Sequence, residues 1–379
     1  MKSSFGKNLK VSVRGGSHEP SVGVDIKGLP VGTEIDMNEL QRFMERRAPG
    51  NSPFATGRKE ADIPVPTGGL TAKAAGPFAA EDSPDSGIMV VTGQHVSLEI
   101  KNTDTRSGDY CALRTIPRPG HADYTARLRY GDTLNMAGGG PFSARMTAPL
   151  CIAGGIAIQL LRRQNIRVGA HIYSVGYALD KAFNPVNIDP DTLDRLNAMD
   201  FPVLEEAAGD RMKNIILEAA GSGDSVGGII EACAVGLPGG IGGAMYDGIE
   251  SALAPIFFGI PAVKGVEFGA GFGAAALRGS ENNDPFYYDN GRVKTRTNNH
   301  GGILGGITTG MPLTVRLAFK PTPSIGMRQS SVDLDKKENT TLVIKGRHDP
   351  CVVVRAVPIA EAALALGILD CIMETDKRR

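Results

Sequence analysis

Glycine constrains this chain more than any other residue type. Forty-nine of the 379 positions are Gly, about 13% where about 7% is usual, and they are not gathered into a linker. Clusters such as Gly138-Gly139-Gly140, Gly239 to Gly243 and Gly301 to Gly306 lie beside apolar runs. Missing Cβ atoms let main chain approach a ligand or another segment closely, so the backbone itself is expected to line something. A weak repeat accompanies the glycines: Ser21-Val-Gly-Val-Asp-Ile-Lys-Gly-Leu-Pro-Val-Gly32 resembles Ser225 to Gly240, and Gly302 to Pro312 is a candidate third copy. Each reads as a glycine-bounded strand turning through Gly-Leu-Pro or Gly-Met-Pro, which points to an α/β (α+β) fold with two related halves.

Helices are placed by their end signals. Asp36-Met-Asn-Glu39 is a capping-box-like start for a helix through Arg46, ended by Pro49-Gly50, which puts Arg46 and Arg47 at a helix C-terminus where cations are favoured. Apolar periodicity predicts further helices over 143–163, 203–219, 247–258 and 358–373, the last with Pro358 in its first turn. β-Branched runs predict strands at Ile88 to Val91, Val96 to Ile100, Ile229 to Val235, Leu313 to Phe319 and Thr341 to Ile344. No linker stands out, so residues 1–379 read as one domain.

Composition removes several classes of function. Lysine plus arginine total 41 and aspartate plus glutamate total 41, so no global basic field exists to hold nucleic acid or an anionic membrane. Met1 to Lys10 lacks the apolar segment of a secretory signal, and a cytoplasmic location is expected. The longest apolar run, Met146 to Leu161, is interrupted by Pro149, Gly154 and Gly155 and is short for a membrane span; it reads as a buried helix. Cysteines 111, 151, 233, 351 and 371 are odd in number and widely spaced, which fits reduced packing residues and no metal site.

Arginine and histidine recur in one local format, inside glycine and proline punctuation. The instances are Gly15-Gly-Ser17-His18-Glu19-Pro20, Arg46-Arg47-Ala-Pro49-Gly50, Arg118-Pro-Gly-His121-Ala-Asp123-Tyr124 and Gly346-Arg347-His348-Asp349-Pro350. Such residues sit on loops, and guanidinium forks match phosphate and carboxylate bidentately. Imidazoles among them suit proton transfer near neutral pH. Convergence of these loops would give a pocket for a small polyanion; taken singly, each arginine is more often a solvated or salt-bridged residue. Gly138 to Arg145 opens a helix and suits an anion, while the dinucleotide and P-loop patterns are absent. Lys320-Pro321-Thr322-Pro323-Ser324 offers a cation and two hydroxyls to a cofactor phosphate, or is simply a strand-end turn.

Five segments together resemble the chorismate synthase signatures, in that family's order. They are Arg118 to Thr125, Gly138-Gly-Gly with Ser143-Ala-Arg145, Asn298 to Ile307, Lys320 to Ile325, and Gly346 to Cys351 with Arg355 to Glu361. The resemblance spans about residues 5 to 371 and implies a β-α-β sandwich, a homotetramer and an active site for reduced FMN beside an anionic substrate. It implies a lyase that eliminates phosphate from 5-enolpyruvylshikimate 3-phosphate to give chorismate, the last common step of the shikimate pathway. Carried over, His18 would protonate or stabilise the reduced flavin and His121 would assist departure of phosphate. Asp349 would help flavin N5 take the ring proton, and Ser17 and Ser143 would hold the hydrogen bonds that place these groups. Arg47, Arg118, Arg145 and Arg347 would clamp substrate anions. Flavin contacts would come from Ser143, Ala262, Gly305, Lys320, Pro321, Thr322, Pro323, Ser324 and Arg347. No nicotinamide fingerprint is present, so a separate flavin reductase is expected and NADPH alone is not expected to reduce the flavin on this chain.

The chain departs from the family pattern at Glu19, Pro53, Pro141, Phe142 and Met146, changes that remove positive charge from the implied anion pocket. Arg58 or another nearby arginine is the expected compensation. The other readings are a catalytically dead flavin-binding homologue, against which retained His18, His121 and Asp349 argue, and a nucleic-acid-binding protein, against which the neutral charge and lack of an aromatic stacking run argue.

Overall fold

The strand His95–Lys101 alternates buried Val96, Leu98 and Ile100 with outward polar residues, the period-two pattern of a sheet covered on one face. In the protein, a computed structural model describing residues 2–50, 54, 60–73, 87–93, 95–103, 115–344, 346 and 348–378, this strand belongs to a five-stranded antiparallel sheet. Its members are β1 (Lys2–Phe5), β2 (Lys10–Gly15), β3 (Ser21–Lys27), β4 (Val65–Gly68) and β5 (His95–Lys101), in the order β1-β2-β3-β5-β4. A second such sheet contains β6 (Arg167–Val175), β7 (Ala178–Leu179), β8 (Gly228–Val235), β9 (Val263–Phe268) and β10 (Leu313–Phe319), in the order β7-β6-β8-β10-β9. The two orders differ only by exchange of the first pair. The first two repeat segments form β3 and β8, each the central strand of its sheet. The third, Gly302 to Pro312, instead forms a small hairpin of Ile303–Leu304 with Ile307–Thr308; with two residues per strand it is too short to join a sheet.

The helices are α1 (Met37–Arg47), α2 (Asp123–Tyr130), α3 (Thr147–Arg163), α4 (Pro190–Asn197), α5 (Glu206–Gly221), α6 (Ile249–Phe258) and α7 (Val353–Arg378). Helix α3 packs on β2, β3 and β5, α7 packs on β6 and β8, and the two helices pack on each other, so the layers run sheet, helix, helix, sheet. The expected β-α-β sandwich is present. A Cβ built on Gly154 of α3 would stand 2.2 Å from Ala362 Cβ of α7; only glycine permits this helix approach. Sheet two is also covered outside by α4 and α5, where Phe183, Leu193, Leu196 and Cys233 form a satellite cluster, which accounts for the continuous apolar run of β8.

Asp36 caps α1 as expected, its side chain accepting from the Asn38 and Glu39 amides. Helix α7 begins at Val353 rather than at Pro358, because Val353, Val354, Ala356 and Val357 are all buried and their burial outweighs the local preference for proline in a first turn. The final predicted strand lies earlier, at Glu338–Leu342, paired with Gln329–Asp333. Helical segments Ala144–Arg163 and Val353–Lys377 are long and apolar enough to cross a membrane, yet 72% and 94% of their apolar windows are buried in the fold. Cys151, Cys233, Cys351 and Cys371 are free and buried, and burial pushes the thiols of Cys151, Cys351 and Cys371 up to about 12. Cys111 lies outside the described residues.

Candidate active site

Element ends converge on a cavity of about 530 Å³. The C-terminus of α1 contributes Arg47, the N-terminal approach to α3 contributes Ser143 and Arg145, the end of α6 contributes Phe258 to Val263, the exit of β10 contributes Lys320, Thr322, Pro323 and Ser324, and the start of α7 contributes Arg355. Of the predicted residues, Arg47, Arg118, His121, Ser143, Arg145, Ala262, Lys320, Thr322, Pro323, Ser324 and Asp349 line it.

Each arginine is held by a carboxylate. Arg118 Nε donates to Asp123 Oδ2 at 2.7 Å and its Nη2 to Asp123 Oδ1 at 2.8 Å, while Nη1 reaches Ser324 Oγ at 3.1 Å. Arg47 Nη1 and Arg145 Nη1 donate to the two oxygens of Asp62, and Arg145 Nη1 also lies 3.2 Å from Glu60 Oε2. Arg355 Nη1 stands 3.4 Å from Asp349 Oδ2 and its Nε donates to the Arg47 carbonyl at 3.1 Å.

His121 Nδ1 lies 2.8 Å from Asp123 Oδ1. Arg118 Nη2 is also 3.1 Å from Nδ1, but it already donates to Asp123 Oδ1 at 2.8 Å; a carboxylate only accepts, so the shorter Asp123 contact assigns a proton to Nδ1 and leaves Nε2 for chemistry. Burial alone would raise the Asp123 carboxyl, but hydrogen bonds from Arg118 and His121 hold it well below the usual carboxylate range. Gly138 and Gly139 form a left-handed turn, φ 62° and 91°, wedged between the two predicted imidazoles. A Cβ on Gly138 would meet His18 at 2.4 Å and one on Gly139 would meet His121 Nε2 at 3.1 Å. His18 thus packs against the turn at Gly138 and His121 packs against it at Gly139; His121 lines the cavity and His18 does not. Buried Ser17 donates from Oγ to the Ala137 carbonyl at 3.1 Å and bonds the turn through its amide, and Ser143 Oγ caps the Arg145 amide at 3.2 Å.

On the opposite wall, Ala262 adopts φ 75° and its carbonyl accepts from the Lys320 amide at 3.0 Å. Lys320 Nζ donates to the Gly120 carbonyl; burial and then Lys264 lower its pKa. Pro321 belongs to this turn without lining the cavity. Thr322 Oγ1 and Asp349 Oδ1 are buried with no hydrogen-bond partner among the described residues, and burial pushes the Asp349 carboxyl up against the pull of Arg355. Burial, with Arg47 nearby, brings Arg355 down to about 10. Gly305 is not brought in: it lies in the turn before Gly306, whose carbonyl accepts from Ile249 at the start of α6, about 15 Å of helix from Phe258 at the cavity. Arg347, Pro53 and Arg58 lie outside the described residues.

Glu60, Asp62 and Arg355 were missed by sequence reasoning. Glu60-Ala61-Asp62 lies between Gly57 and Pro64 but carries no arginine or histidine of its own, whereas Arg355 stands within the Arg355 to Glu361 signature.

A sequence profile described as Chorismate synthase matches residues 9–373. The chain belongs to the chorismate synthase family. It is 41% identical over 380 residues to a chorismate synthase of Lancefieldella parvula, covering 98% of this chain and 96% of the relative. Against a chorismate synthase of Thermococcus kodakarensis it is 44% identical over 365 residues, covering 96% of each. A solved structure, "Crystal Structure of Chorismate Synthase", shares the fold with a TM-score of 0.70 at 22% identity, over 97% of this chain and 93% of that one.

Proposed function

We propose that this chain converts 5-enolpyruvylshikimate 3-phosphate to chorismate and phosphate, in the cytoplasm, with reduced FMN bound beside the substrate. The observation that carries the reading is the meeting of Arg118, His121, Arg47 and Arg145 with the unpartnered oxygens of Thr322 and Asp349 in one cavity. The residues present fit a flavin: the Lys320 ammonium and the Thr322 and Ser324 hydroxyls suit its phosphate, and Ile260, Pro261, Val352 and Ile359 give an apolar wall for its ring. Reduced FMN held by these residues would supply transient electron density for an elimination that has no net redox change.

The protein binds, orients and moves protons. Arg118, locked by Asp123 through Nε and Nη2, presents its Nη1 edge beside Ser324 to an oxyanion, with Arg47 and Arg145 as further anion contacts and Arg347 in the same role. His121 in its imidazolium form, with Nδ1–H on Asp123, hands its Nε2 proton to the departing phosphate and returns to the Nδ1–H tautomer. Asp349 exchanges the ring proton at Oδ1, and its upward-pushed carboxyl suits a group that must be protonated for part of the cycle. His18, packed against the glycine turn, serves the reduced flavin, with Ser17 fixing that turn and Ser143 fixing Arg145. A homotetramer and a separate flavin reductase complete the reading.

Incubated anaerobically with dithionite-reduced FMN, the protein is expected to release one phosphate per chorismate formed. Absence of chorismate from correctly folded protein under these conditions overturns the reading; turnover with NADPH and oxidised FMN alone overturns the separate reductase.

A further inference from the structure

Four cationic side chains of the wall, Arg47, Arg118, Arg145 and Arg355, are paired with four carboxylates, Glu60, Asp62, Asp123 and Asp349. Asp123 serves His121 and Asp349 faces the cavity, but the proposed reaction gives Asp62 no task. Asp62 is buried, 2% exposed, and adopts φ 48°, a conformation that costs a residue with a side chain on the order of 1 kcal/mol or more. Its Oδ2 accepts from Arg47 at the end of α1 and its Oδ1 from Arg145 before α3. Both arginines line the cavity and Asp62 does not, so the carboxylate stands behind the pair.

The remaining contacts fix each guanidinium plane. Arg47 Nε donates to Thr147 Oγ1 at 3.2 Å, and Arg145 Nε donates to Asn102 Oδ1 at 2.8 Å. Arg47 Nη2 keeps no acceptor among the described residues, and Arg145 Nη2 has only the Lys101 carbonyl at 3.5 Å. Stability alone is a weak reason for such a cluster, because desolvation of buried charges offsets their attraction, and the left-handed backbone at Asp62 adds to the cost. A cluster of this kind makes sense when the two guanidinium groups that line the cavity must be held in place before a ligand arrives.

We propose that Asp62 is a positioning residue that holds Arg47 and Arg145 as one receptor for an oxyanion of the substrate. This rests on the function proposed above, and it is tested by anion binding as well as by turnover. The variants are Asp62→Asn and Asp62→Gly, the second removing the carboxylate at a φ that glycine adopts freely, so that a folded variant is available if the amide is not tolerated. Calorimetric titration with inorganic phosphate and, separately, with malonate is expected to show affinity lowered about tenfold or more for one of them, since charge-assisted contacts lose their geometry. Loss for phosphate places the phosphoryl group on the pair, and loss for malonate places a carboxylate there. Substrate KM is expected to rise by a similar factor with a smaller change in kcat, and formate is expected to restore Asp62→Gly by filling the vacated position. Anion affinities and KM all within about twofold of the parent, with only thermal stability reduced, would make Asp62 a structural ion pair and overturn the proposal. Normal phosphate and malonate binding by the parent without chorismate formation would instead reject the function and leave Asp62 to be judged by the titrations.

Discussion

Asp123 Oδ1 lies 2.8 Å from His121 Nδ1, and Oδ2 of the same carboxylate takes Arg118 Nε at 2.7 Å. One side chain thus sets both the tautomer of an imidazole and the direction of a guanidinium fork. Asp123→Asn keeps the side-chain shape but turns one acceptor oxygen into an NH2 donor, so it gives up either the Arg118 or the His121 contact, and we expect kcat to fall about a thousandfold. The carboxyl is held below its ordinary 3.8, so its contribution to stability is present above that value and is lost only as pH falls through the lower folded value. No limb of the pH–rate profile between about pH 5 and 9 should belong to Asp123; pH-dependent kcat of the parent and the variant checks both points.

The turn between the imidazoles gives a second test. Gly139 has φ 91° and a Cβ there would stand 3.1 Å from His121 Nε2. Gly139→Ala is expected to lose about 1 to 2 kcal/mol of stability and to lose kcat by a larger factor than Ala at neighbouring Met136. Denaturant titration and the anaerobic assay, run on the same preparations, measure the two losses.

Between the middle helices, Gly154→Ala drives a methyl group into Ala362, whose Cβ is 2.2 Å from the new position. We expect a loss of about 1 to 3 kcal/mol by chemical denaturation. The double variant with Ala362→Gly should recover part of it, and a failure to recover would mean that the helices are not in contact there.

Sheet two carries a buried His171 between Asp180 Oδ2 and Glu231 Oε2, each at 3.1 Å, and Glu231 in turn holds Arg316 at 2.9 Å. Burial alone would lower the imidazole pKa, but the hydrogen bonds to the two carboxylates raise it above 6.5. A raised histidine stabilises fully below its unfolded value and loses that contribution as pH climbs through the folded one, so stability should decline as pH rises from about 6.5. In His171→Gln we expect about 3 kcal/mol lower stability near pH 6 and a flatter dependence above it, both read from urea midpoints across that range.

The fold was legible where local chemistry and tertiary burial agree. Asp36 and Pro49-Gly50 bounded α1 because caps act within one turn, and β10 was placed at Leu313 to Phe319 because its residues are nearly all buried. The start of α7 was misplaced because burial of Val353 to Val357 is a property of the assembled core and leaves no local mark. At the site, Arg118, His121 and Asp123 are five residues apart in one motif and could be read as a unit. Asp62 could not: its partners Arg47 and Arg145 are 15 and 83 residues away, and only the folded chain brings them to one carboxylate. Gly305 stays outside this cavity for the opposite reason, since its motif is distinctive while its turn sits at the far end of α6.

The central claim is that flavin and substrate occupy one cavity of about 530 Å³. Its most direct measurement is the dissociation constant of oxidised FMN, followed by flavin absorbance, with and without saturating 5-enolpyruvylshikimate 3-phosphate. Ligands sharing a cavity exclude water from one another, and coupling is reciprocal, so FMN is expected to bind about tenfold or more tightly with substrate present, with a shifted flavin spectrum. An FMN affinity and spectrum unchanged by saturating substrate would contradict the claim.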